Sequence, residues 1–149
     1  MKSLARKRSK GNITLAYWRT KLSWVYEPWE YGPFRDQFNN LPLKIQIAIS
    51  EAIEERLKID PCSSRNPVRS KILHGELEGI RRIHVDDNHI VAYIVCDECK
   101  REGYNLKFKC LRCFETPAFR IKLIACGPWK YIYDDLENQW PDWVSSVRR

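Results

Sequence analysis

Four of the chain's six cysteines, Cys96, Cys99, Cys110 and Cys113, form two Cys-x-x-Cys pairs with ten residues between them. Two residues between thiolates let the backbone turn so that both sulfurs reach one ion at about 2.3 Å, and two such pairs complete a tetrahedral shell. With no coordination position left open, such a site is structural. The expectation is one structural Zn²⁺ per chain on these four residues. A redox role would need only one pair, and a reducing compartment disfavours disulfides. Cys62 and Cys126 have no close partner in sequence and read as small buried or half-buried hydrophobes.

The other chemistry on offer is cationic. The formal net charge is +7 in 149 residues, and it is unevenly spread. Residues 1–21 carry Lys2, Arg6, Lys7, Arg8, Lys10, Arg19 and Lys21 with no acid, so the body from residue 22 onward is formally neutral. A basic arm on a balanced domain suits attachment to a polyanion, nucleic acid or the ribosome, although a tail that only aids solubility has the same composition. The apolar run from Ile90 to Cys96 is far short of the roughly 20 residues of a membrane span, and the first residues lack the apolar core of a signal peptide. These features predict a cytoplasmic protein with no membrane partner.

The length suits one domain with appendages. LSWVY (Leu22 to Tyr26), aromatic and branched and soon followed by Pro28, reads as a first strand. Phe34 and Phe38, then Ile45, Ile49, Ile53 and Leu57, recur every four residues, the stripe of an amphipathic helix or of two helices broken at Leu41-Pro42. Asp60-Pro61 should end it. After the loop CSSRNPV and glycines at 75 and 79, IRRIHV predicts a strand with Arg82 and His84 on one face and Arg81, Ile83 and Val85 on the other. HIVAYIV (His89 to Val95) reads as a central strand buried on both faces, and FRIKLIAC (Phe119 to Cys126) as its hairpin partner. The cysteine insert, residues 96–113, falls in the connection between them, where metal coordination can supply its own stability. The C-terminal stretch is expected to be a short helix or irregular tail whose Trp140 and Trp143 pack on the body.

This order, with the strings FRDQFNNLPLKIQIAISEAIEERLKIDP, KILHGELEGIRRIHV, HIVAYIV and LIACGPWKYIY, resembles the RelE/ParE family of type II toxins over roughly residues 34–136. The resemblance implies an α+β fold, with an N-terminal strand and helical pair packed on a small, mainly antiparallel sheet, here as a RelE-like domain spanning 22–149 with a zinc-ribbon-like insertion at 96–113. The RelE branch implies a ribosome-associated endoribonuclease that cleaves messenger RNA and is neutralised by a protein antitoxin. Its chemistry needs no metal: the RNA's own 2′-hydroxyl attacks, while the protein orients it, stabilises the phosphorane and protonates the leaving oxygen.

Carried onto this sequence, the resemblance assigns Arg81 and Tyr133 to family positions of the catalytic set. At Ile90 and Trp129, where RelE-type members commonly carry arginine, this chain does not, and Arg82, His84, His89 and Lys130 are the candidates to supply the missing charge. The expected catalytic residues are therefore Arg81, Arg82, His84, Lys130 and Tyr133, with His84 as general acid at an ordinary pKa of about 6.5. Lys71, His89 and Trp129 are the expected RNA contacts, Trp129 by stacking on bases together with Tyr131. Two other functions fit the same resemblance: a non-catalytic RNA- or ribosome-binding module, and a ParE-like inhibitor of DNA gyrase.

Overall fold

The computed structural model describes residues 24–104 and 116–147, with side chains to residue 144. Among them are a five-stranded sheet and four α-helices. In chain order these are β1 (Val25–Pro28), α1 (Phe34–Asn39), α2 (Leu43–Ala52), β2 (Lys71–Ile72), β3 (Arg81–His84), β4 (His89–Val95), α3 (Cys96–Glu102), β5 (Arg120–Pro128) and α4 (Trp129–Val147). The sheet order is β1-β5-β4-β3-β2. β2, β3, β4 and β5 pair antiparallel, and β1 adds at the edge parallel to β5, so the α+β sheet is mixed. The expected basic arm, residues 1–21, lies outside the described residues, as do Leu22 and Ser23. The first strand begins three residues later than LSWVY suggests.

Every side chain from Ile90 to Val95 is buried, which makes β4 the spine of the molecule. Its alternation splits the core in two. Val91, Tyr93 and Val95 join Phe34, Ile49, Ile53 and Leu57 of the helical pair on one face. Ile90, Ala92 and Ile94 join Ile132, Leu136, Trp140 and Val144 of α4 on the other. Pro42 divides the helical pair as its ring requires, capping α2 where no amide donor is needed. The helix continues into a π-helical turn, Ile53–Leu57, in which the Lys58 N–H donates to the Ile53 carbonyl at 3.1 Å.

The C-terminal stretch is neither short nor irregular. It forms a 19-residue helix, with Pro141 inside it, because Ile132, Leu136, Trp140 and Val144 recur every four residues and bury one stripe. Truncating Leu136, fully buried at the centre of that stripe, would cost roughly 2–5 kcal/mol. Two glycines make the junctions possible. A Cβ on Gly32 would stand 2.9 Å from the Ile124 carbonyl, so the loop after β1 could not press on β5. Gly127 takes φ +144 just before the chain turns into α4, a conformation that other residues rarely adopt.

Candidate nucleic-acid site

α4 covers the β4 and β5 portion of one sheet face, so the face that carries Arg82 and His84 is not an open concave surface across its whole width. What stays accessible is its β2–β3 edge. Lys71 pairs across from Arg82, and His84 lies two residues further along β3. The pleat puts all three on one side, with neighbouring strands about 4.8 Å apart. Together with the loop before β2 they line a groove of about 1050 Å³.

Two further arginines line this groove, Arg56 and Arg69. Arg56 sits in the π-helical turn and donates to three backbone carbonyls, those of Pro67 (2.9 Å), Val68 (2.7 Å) and His84 (2.6 Å). It clamps the loop against the end of β3, and partial burial lowers its pKa. Arg69 is exposed and takes φ 54, the left-handed region. The signal for it in the sequence was the pair of cations flanking Ser70 in VRSK. Asp86 and Asp87 form the acidic rim.

The groups differ in how committed they are. Arg82 Nε is buried and has no hydrogen-bond partner among the described residues. Arg82 lines the groove, and a buried donor left unsatisfied costs free energy. Partial burial, then the charge of Arg82, holds the His84 imidazole below its ordinary pKa. That favours the neutral imidazole, the form that can accept a proton; the sequence expectation for His84 was a general acid.

Arg81 faces the other way. It makes a bidentate ion pair with Glu98 of α3, Nε to Oε1 at 2.8 Å and Nη2 to Oε2 at 2.7 Å, and the pair raises its pKa against the opposing effect of burial. Its side chain is 13% exposed and that of Glu98 5%. The guanidinium is thus engaged inside the protein, on the sheet face opposite Lys71, Arg82 and His84.

His89 also points to the α2 side of the sheet. Its Nδ1 lies 3.0 Å from an Asp86 carboxylate oxygen, and the Asp86 pKa is lowered by hydrogen bonds from the Asn88 amide and the His89 ring and amide, against partial burial. The remaining candidates gather at the start of α4. The Trp129 amide donates to the Asn88 carbonyl at 2.8 Å, the Trp129 and Tyr133 rings are 6.2 Å apart, and Lys130 Nζ sits 5.7 Å from the Trp129 ring centroid. Tyr131 is exposed. This cluster lies beside the β3–β4 turn and outside the groove lining. The structure therefore brings Lys71, Arg82 and His84 together, and leaves Arg81, His89 and the Trp129–Lys130–Tyr133 cluster apart from them.

Cys96 and Cys99 lie one turn apart at the start of α3, both buried. Two thiols on one helical face are a fitting half of a tetrahedral thiolate shell. Cys110 and Cys113 lie outside the described residues, and no group of three or more metal-binding side chains occurs among those described. Cys126 is buried and Cys62 half-buried, as their isolation in sequence suggested. Burial pushes both thiols up to about 12, so both remain protonated. No helix among the described residues is long and apolar enough to cross a membrane. Comparison with family models, curated proteins and solved structures gave no match.

Proposed function

We propose that this protein is a RelE-like toxin, a ribosome-associated endoribonuclease that cleaves messenger RNA by metal-independent attack of a 2′-hydroxyl. A protein antitoxin would restrain it, and a Cys96–Cys99–Cys110–Cys113 zinc site in the insertion would take no part in the cleavage chemistry. The observation that carries this reading is the grouping of Lys71, Arg82 and a neutral His84 on one sheet face beside an accessible groove. In such a site His84 takes the 2′-hydroxyl proton as the oxygen attacks phosphorus. Arg82 and Lys71 stabilise the charge that builds on the phosphorane. The imidazolium so formed then has a proton to return to the leaving 5′-oxygen. The groups at the start of α4, Trp129, Lys130 and Tyr133, offer rings for bases and a cation for the backbone.

A second reading, a non-catalytic RNA- or ribosome-binding module on the same fold, draws on a specific observation. Arg81 is engaged by Glu98, and Ile90 is fully buried core, so neither the family's basic position at 81 nor its arginine position at 90 supplies a cation to the groove. Cleavage on programmed ribosomes separates the two. Cutting that is lost in Arg82→Ala and His84→Ala supports the nuclease, and ribosome binding without cutting supports the module.

A further inference from the structure

Glu98 occupies the first turn of α3 between Cys96 and Cys99, yet its carboxylate reaches back to the sheet. Both oxygens accept from Arg81. Arg81 Nη1 lies 3.3 Å from Ser70 Oγ, Ser70 Oγ is 2.5 Å from the Tyr93 hydroxyl, and that hydroxyl is 2.6 Å from the Pro61 carbonyl. The direction of each bond follows from what each group can do. A carbonyl only accepts, so Tyr93 donates to Pro61, Ser70 donates to Tyr93, and Arg81 donates to Ser70. Each hydroxyl hydrogen is used once. Ser70 and Tyr93 are buried, so no link can be dropped without leaving an unsatisfied polar group in the interior.

We propose that this relay regulates the basic groove: Glu98 is a positioning residue that transmits the state of the Cys96–Cys99 turn, through Arg81 and Ser70, to the strand that carries Lys71. The proposal rests on reading the groove as the RNA site. Ser70 is the last residue of the groove-lining loop, and Lys71 follows it in β2 across from Arg82. At its other end the relay holds Pro61, where the same loop leaves the helical pair. When both thiols are held by a metal, the first turn of α3 is fixed and so is the carboxylate. When they are released, Arg81 follows Glu98 or loses its partner, and either change alters what Ser70 can bond.

The reporters are backbone amides. The Ser70 N–H donates to the Ser63 carbonyl at 2.8 Å, and the Arg69 N–H to the Arg65 carbonyl at 2.8 Å. Hydrogen exchange at these two amides should be followed in the full-length chain with bound zinc, after zinc chelation, and in Glu98→Asp and Glu98→Gln. Affinity for a short single-stranded RNA oligonucleotide is measured on the same samples. We expect exchange at Arg69 and Ser70 to rise about tenfold on chelation and in Glu98→Gln, less in Glu98→Asp, with a matching loss of RNA affinity. Unchanged exchange at both amides, while α3 amides exchange faster, overturns the relay. The chelation arm needs no substitution, so a Glu98 variant that fails to fold leaves the test intact. Faster exchange with RNA affinity unaltered upholds the link to the loop and overturns the groove as the RNA site.

Discussion

Removing Glu98 should be among the most damaging single changes in this protein. Glu98→Ala leaves the Arg81 guanidinium in the interior with Ser70 as its hydrogen-bond partner. Truncating one partner of a buried pair costs roughly 3–5 kcal/mol, because the other charge is left uncompensated. At about 2–4 °C per kcal/mol for a chain of this size, the melting temperature should fall by roughly 6–20 °C. Arg81→Met should lose somewhat less, since it removes the donor to Ser70 and leaves the Glu98 carboxylate with only the exposed Arg101, 4.0 Å away, as a counter-charge. The double variant Arg81→Met with Glu98→Leu removes both charges while keeping bulk, and should return to within about 2 kcal/mol of the parent. Urea unfolding of the four proteins at a common slope gives the cycle. Losses in the double variant equal to the sum of the singles would refute the energetic coupling of the two charges. Singles that each cost under about 1 kcal/mol would show that the pair is solvated.

The neutral state of His84 makes a signed prediction for pH. Because its pKa is held below 6.5, cleavage that uses it as a base should rise with pH to a midpoint below 6.5 and then level. A rate that falls through that range as pH rises would assign the imidazolium instead, and His84→Ala should abolish the limb. Purified protein should hold close to one zinc per chain, and Cys96→Ser with Cys113→Ser should remove it; metal content untouched by that double substitution would sink the zinc site. Deleting residues 1–12, which carry five of the basic side chains, should flatten the salt dependence of RNA binding, since fewer counterions are released. An unchanged slope would mean that the arm makes no contact.

Several elements were legible because local chemistry decides them. The apolar run of HIVAYIV has one stable use, a strand with both faces covered, and Pro42 bars one continuous helix, so that one ends before it and the next begins after it. The periodicity of α4 was equally present, in Ile132, Leu136, Trp140 and Val144, although Pro141 falls inside it. Tertiary burial outweighs the interior proline there. The parallel pairing of β1 with β5 joins Val25 to Arg120, a long-range choice with no local signal. The site divides in the same way. Strand alternation put Arg82 and His84 together and Arg81 opposite, as the pleat demands. What no periodicity could show was that Glu98, seventeen residues on, engages Arg81, or that Arg56 spends its donors on three carbonyls. The lowered pKa of His84 likewise arises from burial and from Arg82 in three dimensions.

The most direct test of the nuclease reading is messenger RNA cleavage mapped on programmed ribosomes with the zinc-loaded full-length protein, beside Arg82→Ala, His84→Ala and Arg81→Met. Loss of one cationic contact to the developing charge should cost about two to three orders of magnitude, and loss of the proton-accepting imidazole a comparable amount, roughly 10²–10⁴-fold. The account predicts cutting by the parent protein, a loss of that size in Arg82→Ala and His84→Ala, and a smaller loss in whatever Arg81→Met remains folded. Cleavage that survives in both Arg82→Ala and His84→Ala, or ribosomes bound and messenger left intact by the parent protein, would contradict it.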